Sequence, residues 1–206
     1  MFGSLLEWAI ELLAMVLMGG VIKLMDDALD AEYDICRGEH TLAVKLGRAL
    51  LPYTLVLAVL ALFLQPMLTT ALFFGSYAVG MFNHWREKLP THVPAYVEIF
   101  LVAGLSLLLT GWQNTVWGFA FMALVDWGDD MTDAARDKVS GQDNLVLHIG
   151  WIETSLLLLL VLCVAVLMNP FATATGFIAL AALTVLAELT TSKLWQVSDE
   201  KNNIQG

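Results

Sequence analysis

Apolar runs long enough to cross a bilayer recur along almost the whole chain, and no other feature restricts its fold so severely. A backbone in hydrocarbon has to satisfy its own hydrogen bonds, so a run of about 20 apolar residues there has to be a helix. Seven such runs stand out, at about 4–24, 46–64, 66–83, 93–110, 112–128, 151–168 and 170–191. Hydrophobic residues make up 58% of the 206 positions and mean hydropathy is +0.72, too apolar for a soluble bundle whose helices each face water. The reading is an all-α polytopic integral membrane protein of about seven transmembrane helices. Residues 1–206 form one transmembrane domain, with 196–206 as a disordered tail.

Short turns at Gln65-Pro66, Gly111 and Asn169-Pro170 join three pairs of runs and carry no charge. All ten Lys and Arg residues lie at or beyond the opposite helix ends, which the positive-inside rule assigns to the cytoplasm. Seven crossings then put the N-terminus outside and the C-terminus in the cytoplasm. Residues 1–24 read as a helix and not as a cleavable signal, since no basic n-region precedes them. Cys36 and Cys163 fall in a loop and a span, so no disulfide framework is expected. Six of the seven tryptophans sit near helix ends, where an interfacial belt accounts for them.

The net charge of −10 is concentrated, not spread. Ten of the twenty acidic residues fall in two short segments, around Asp26–Asp34 and Asp126–Asp137. Set one above the other, "DDALDAEYDICRGEHTLAVKLG" and "DDMTDAARDKVSGQDNLVLHIG" align without a gap. Asp26, Asp27, Asp30, Asp34, Gly38, Leu42 and Gly47 match Asp129, Asp130, Asp133, Asp137, Gly141, Leu145 and Gly150, each pair 103 positions apart. Four expected crossings separate the copies, an even number, so both face the same side. The halves, about 1–92 and 93–195, read as parallel pseudo-repeats around an axis along the membrane normal.

On a helix, Asp27, Asp30 and Asp34 stand at i, i+3 and i+7, as do Asp130, Asp133 and Asp137, so each trio forms one stripe. Two facing stripes of carboxylates near hydrocarbon repel each other unless something positive lies between them. Oxygen donors without His or Cys favour a hard cation, Mg²⁺, which takes few carboxylates and fills its shell with water and phosphate oxygens. That pattern suits a diphosphate held through bridging metal. Arg37, Lys45, Arg48, Arg136 and Lys138 follow the stripes and are candidates for its outer oxygens, as are Arg86 and Lys88 of the polar loop 82–98. Lys23, one turn before Asp27, is a further candidate or a partner for Asp126. For the loop, contact with anionic lipid headgroups is an equal reading.

At these residues the sequence resembles the UbiA superfamily of intramembrane prenyltransferases. Asp26-Asp27-x-x-Asp30-x-x-x-Asp34 is similar to the family's first motif, and Asp130-x-x-Asp133-x-x-x-Asp137-x-x-x-Gly141 to its second; "GEHTLAVKLG" resembles the segment common after an Asp motif there. The resemblance implies an all-helical fold around a central cavity open to the cytoplasmic side. It implies Mg²⁺ held by Asp26, Asp27, Asp30, Asp34, Asp130, Asp133 and Asp137, with the six from Asp27 onward as catalytic residues. The implied substrate is a prenyl diphosphate, ionised to an allylic cation in an aromatic-lined chamber and transferred to a lipid or aromatic acceptor. Phe73, Phe74, Tyr77, Phe82, Trp117, Phe119 and Phe121 are the candidates for that lining.

The chain departs from the family in having about seven spans where members usually have nine, and "ICRGEHT" where they carry a Lys-Pro-x-Arg-Pro run. Those departures leave two alternatives open. One is a membrane terpene cyclase of the same superfamily, which needs no acceptor pocket. The other is a divalent-cation transporter, with Glu11, Glu98, Glu153 and Glu188 extending a polar path. Nothing in the charge pattern suggests a nucleic-acid partner; the expected partners are the diphosphate, its acceptor and membrane lipid.

Overall fold

The computed structural model describes residues 2–29, 41–82, 85–141 and 144–204, and their side chains apart from those of residues 2, 3, 136, 140 and 190–204. The described residues are helical throughout, broken by turns and one irregular hairpin at 85–94. Helix α1 is Phe2–Leu29. A five-residue helix α2, Leu42–Leu46, leads through a 3₁₀ turn, Gly47–Ala49, into α3, Leu50–Leu64. Then come α4, Pro66–Gly80; α5, Ala95–Ser140; α6, Leu145–Ile149; α7, Trp151–Met168; and α8, Pro170–Ile204. The last continues through 196–204, where composition alone suggests a disordered tail.

Local chemistry sets these boundaries. Gln65 and Asn169 each precede a proline, which disfavours the helical conformation in the residue before it, and both adopt extended backbone. Pro66 and Pro170 then open the next helices, where a missing N–H costs nothing. Gly47 and Gly150 end the two five-residue helices at positive φ (47° and 101°). The same order of elements therefore follows each acidic segment: a helix of five residues, a glycine, a long apolar helix and a proline-led turn.

Helix α5 is not straight. Gly111 has φ 78° and ψ 165°, and across it the Ser106 and Thr115 hydroxyls lie 3.1 Å apart, both buried. Nine residues of straight helix would separate them by about 13.5 Å. The chain therefore reverses at Gly111, giving two arms, 95–110 and 112–140.

Among the described residues, five helical stretches are long and apolar enough to cross a bilayer: Ser4–Leu29, Leu42–Leu64, Ala95–Ala135, Trp151–Met168 and Pro170–Leu189. The runs at 93–110 and 112–128 lie within one stretch, divided by Gly111, and the run at 66–83 yields a helix of only 15 residues. Phe63, Leu108 and Leu167 are 86%, 83% and 76% exposed. Large side chains displayed this openly on every long helix belong in lipid. The chain has the character of a helical membrane protein.

The helices gather into two compact units, 1–65 with 175–206, and 66–174. In the first, α1 buries Ala14, Met15, Met18 and Val21, and Gly19 packs against Leu183. In the second, α4 lies alongside both arms of α5. Gly75 meets Gly118 and the Phe82 ring meets Trp127, while Tyr77 Oη donates to Glu98 Oε2 (2.7 Å). Trp117, fully buried, stacks on Phe121 and donates its indole N–H to Thr173 Oγ1 (3.0 Å).

Candidate active site at the second aspartate motif

The motif Asp129, Asp130, Asp133 and Asp137 occupies the last three turns of α5. Asp130, Asp133 and Asp137 are half-buried and Asp129 is exposed. The helix stops at Gly141, in the left-handed conformation (φ 76°), whose N–H donates to Asp137 O at 2.8 Å. The chain then turns back, and Asn144 caps α6, its Oδ1 accepting from Val146 N at 2.9 Å.

This turn-back places two residues against the motif. Leu145 N donates to Asp130 Oδ2 (2.9 Å), while Asn144 Nδ2 donates to Asp137 Oδ2 and to the Asp130 carbonyl, each at 2.7 Å. Two carboxylates seven positions apart are thus tied to adjacent residues of one turn. Asn144 is fully buried, and all three of its polar bonds are made. The sequence reading passed over it; the signal available was an Asn directly before the apolar "LVLHI", the mark of a helix start.

Family models, curated proteins and solved structures give no match to this chain. The reading of the site rests on its own residues.

The first motif is described only at its start. Asp26 is exposed and Asp27 half-buried in the last turn of α1, while Asp30, Asp34 and Arg37 lie outside the described residues. Lys23 Nζ pairs with Asp27 Oδ1 at 3.3 Å, one turn along its own helix. Thr41 takes the position in the first segment that Asn144 takes in the second, 103 residues on. It precedes α2 without a capping bond, and its Oγ1 is buried without a hydrogen-bond partner among the described residues.

The remaining cationic candidates are scattered over separate elements. Lys45 and Arg48 are exposed beside Gly47, and Lys138 is exposed near the end of α5; the Arg136 side chain is not described. Arg86 and Lys88 belong to the hairpin held by Ala95 N–Glu87 O (2.9 Å), Tyr96 N–Trp85 O (2.9 Å) and Leu89 N–Val93 O (3.0 Å). There the Arg86 guanidinium sits over the Trp85 ring at 4.5 Å. Of the aromatic candidates, Phe73 and Phe74 pack edge to face, and Trp117 and Phe121 fill the interior of their unit.

Among the described residues no three His, Cys, Asp or Glu side chains converge as a metal-binding group. The donor chemistry still fits Mg²⁺, which takes one or two carboxylates and completes an octahedron with water and phosphate oxygens. Asp130 and Asp137 are carboxylates of that kind, each with one oxygen accepting from a backbone or amide N–H.

Proposed function

We propose that the protein is an intramembrane enzyme of the UbiA type that ionises a prenyl diphosphate and transfers the prenyl group to an acceptor. The observation that carries the reading is the hydrogen-bonded arrangement of Asp130 and Asp137 with Asn144 and Leu145. A merely solvated acidic helix end needs no buried asparagine to orient its carboxylates. The recurrence of the same element order after both acidic segments supports two related halves, and the seven apolar runs support seven crossings with both motifs on the cytoplasmic side.

In this reading Asp26, Asp27, Asp30 and Asp34 from one half and Asp130, Asp133 and Asp137 from the other hold Mg²⁺. A bound Mg²⁺ would supply positive charge to offset that developing on the diphosphate leaving group. The chain supplies the rest. Lys23, Lys45, Arg48, Lys138 and their neighbours attract and orient the anionic head, and apolar helices keep water from the allylic cation. The electron pair of the broken bond leaves on the diphosphate, an acceptor atom or a double bond of the same substrate fills the empty orbital at C1, and the resulting cation loses a proton to the released diphosphate or to water.

The test is diphosphate release by the purified protein with geranyl, farnesyl and geranylgeranyl diphosphates, with and without Mg²⁺ and without acceptor. Release only after a lipid extract or aromatic acceptor is added supports the transferase. Release with a cyclic hydrocarbon or terpene alcohol as product supports a membrane terpene cyclase. No release under any condition overturns the enzyme reading in favour of a divalent-cation transporter.

A further inference from the structure

The hairpin at 85–94 is held more firmly than a link between two helices requires. To its other backbone bonds His92 N adds one to Leu89 O (2.8 Å), with His92 in the left-handed conformation (φ 64°), and a bridge joins Lys88 to Pro94. Its tip is tied to the helices as well. Thr91 Oγ1 donates to Glu98 Oε1 on α5, and Tyr77 Oη of α4 donates to Oε2. Hydroxyls thus engage both oxygens of Glu98, and the hairpin cations engage neither. Arg86 and Lys88 are exposed, and among the described residues neither enters an ion pair, not even with Glu87 between them. The Arg86 guanidinium lies instead over the Trp85 ring, which is itself exposed. Contact with an aromatic face uses the plane of a guanidinium and leaves the N–H donors on its edge for another partner.

We infer that the hairpin is a docking surface for an anionic phospholipid, whose headgroup phosphate is bound by Arg86 and Lys88. The inference does not depend on the enzymatic reading. Its first support is position. Ala95, which closes the hairpin through its bond to Glu87 O, opens a stretch long and apolar enough to cross a bilayer. The hairpin therefore stands where that stretch leaves the hydrocarbon, at the level of the lipid phosphates. Its second support is chemistry. A planar guanidinium meets phosphate oxygens through paired N–H groups, and an ammonium adds a point charge. Trp85 and Tyr96, joined by the bond from Tyr96 N to Trp85 O, are both exposed, and amphipathic rings of this kind settle at the headgroup level. A soluble phosphate would use the cations and gain nothing from the two rings; a lipid uses both. Because the backbone of the hairpin is already fixed, little ordering is left to do on binding. The Phe82 ring, just before the hairpin, packs on Trp127, one turn ahead of Asp130, so the lipid stands at the aspartate-motif end of its unit.

The experiment uses the full chain in detergent, offered equal amounts of dioleoyl phosphatidylglycerol and dioleoyl phosphatidylcholine, with retained lipid read by native mass spectrometry. Wild type is expected to retain phosphatidylglycerol in preference to phosphatidylcholine. Arg86→Gln and Lys88→Gln should each weaken that retention about 5-fold, and the double variant about 25-fold, the worth of one and two cations at an anionic lipid surface. Both side chains are exposed, so the melting temperature in lipid-free detergent should match wild type. Equal retention of the two lipids by wild type overturns the inference, as does unchanged phosphatidylglycerol retention in the folded double variant. Two further arms separate a lipid from a free phosphate. Trp85→Ala keeps both cations and is expected to lower phosphatidylglycerol retention several-fold; no change means that the ring takes no part and overturns the lipid as occupant. Displacement of the lipid by millimolar inorganic pyrophosphate assigns the cations to a soluble phosphate and likewise overturns it, whereas persistence of the bound lipid supports the inference.

Discussion

Gly75 and Gly118 meet backbone to backbone. A Cβ on Gly75 would stand 2.6 Å from the Gly118 carbonyl oxygen, and one on Gly118 would strike the Ala71 carbonyl. In a membrane such contacts replace the hydrophobic effect as the force that joins helices. Gly118→Ala is expected to destabilise the protein by about 1–3 kcal/mol, as overpacking does. Gly104→Ala, with nothing within 4 Å, should leave stability unchanged or slightly higher. Thermal unfolding of both in the same detergent checks the contrast.

Thr173→Val removes the acceptor of the buried Trp117 indole N–H. An unsatisfied buried donor costs about 1–3 kcal/mol. Trp117→Phe on the Thr173→Val background should cost less than it does in wild type, and a double-mutant cycle measures the difference.

Gly111→Ala forces a Cβ into a backbone conformation, φ 78° and ψ 165°, that is essentially reserved for glycine. The expected cost is about 1–3 kcal/mol. A lower melting temperature and a smaller monodisperse fraction on size exclusion are the readouts.

Asp130→Asn and Asp30→Asn are each expected to lower Mg²⁺-dependent diphosphate release by roughly 100-fold or more while the protein stays folded. Release assays paired with melting curves separate loss of chemistry from loss of fold. Retained turnover in both variants would sink the assignment.

Excess chelator is expected to stop diphosphate release, with Mg²⁺ restoring it and Zn²⁺ failing to, because the donor set is all oxygen. A titration of each ion into chelated protein tests this directly.

The long apolar runs and their proline-led ends were legible because they obey local rules: Gln65 and Asn169 stop helices for the same reason wherever they precede proline. The breaks at Gly47 and Gly150 were harder to read. A glycine in apolar sequence looks like part of a span until its φ is known, so the run at 46–64 hides the separate helices at 42–46 and 50–64. The aspartate stripe was evident from its spacing. Asn144 was not, because the alignment that reveals the repeat pairs it with Thr41 and makes it look like an ordinary difference. Its role comes from the turn at Gly141, a tertiary event that no periodicity encodes.

The reversal at Gly111 bears on how the protein is made. Thr110, Gly111, Trp112, Gln113 and Asn114 carry no formal charge, and the two arms touch within five residues of the turn through Thr110 and Thr115. A nascent chain that folds back so tightly can enter the lipid as one hairpin, with no charged side chain at its turn to desolvate.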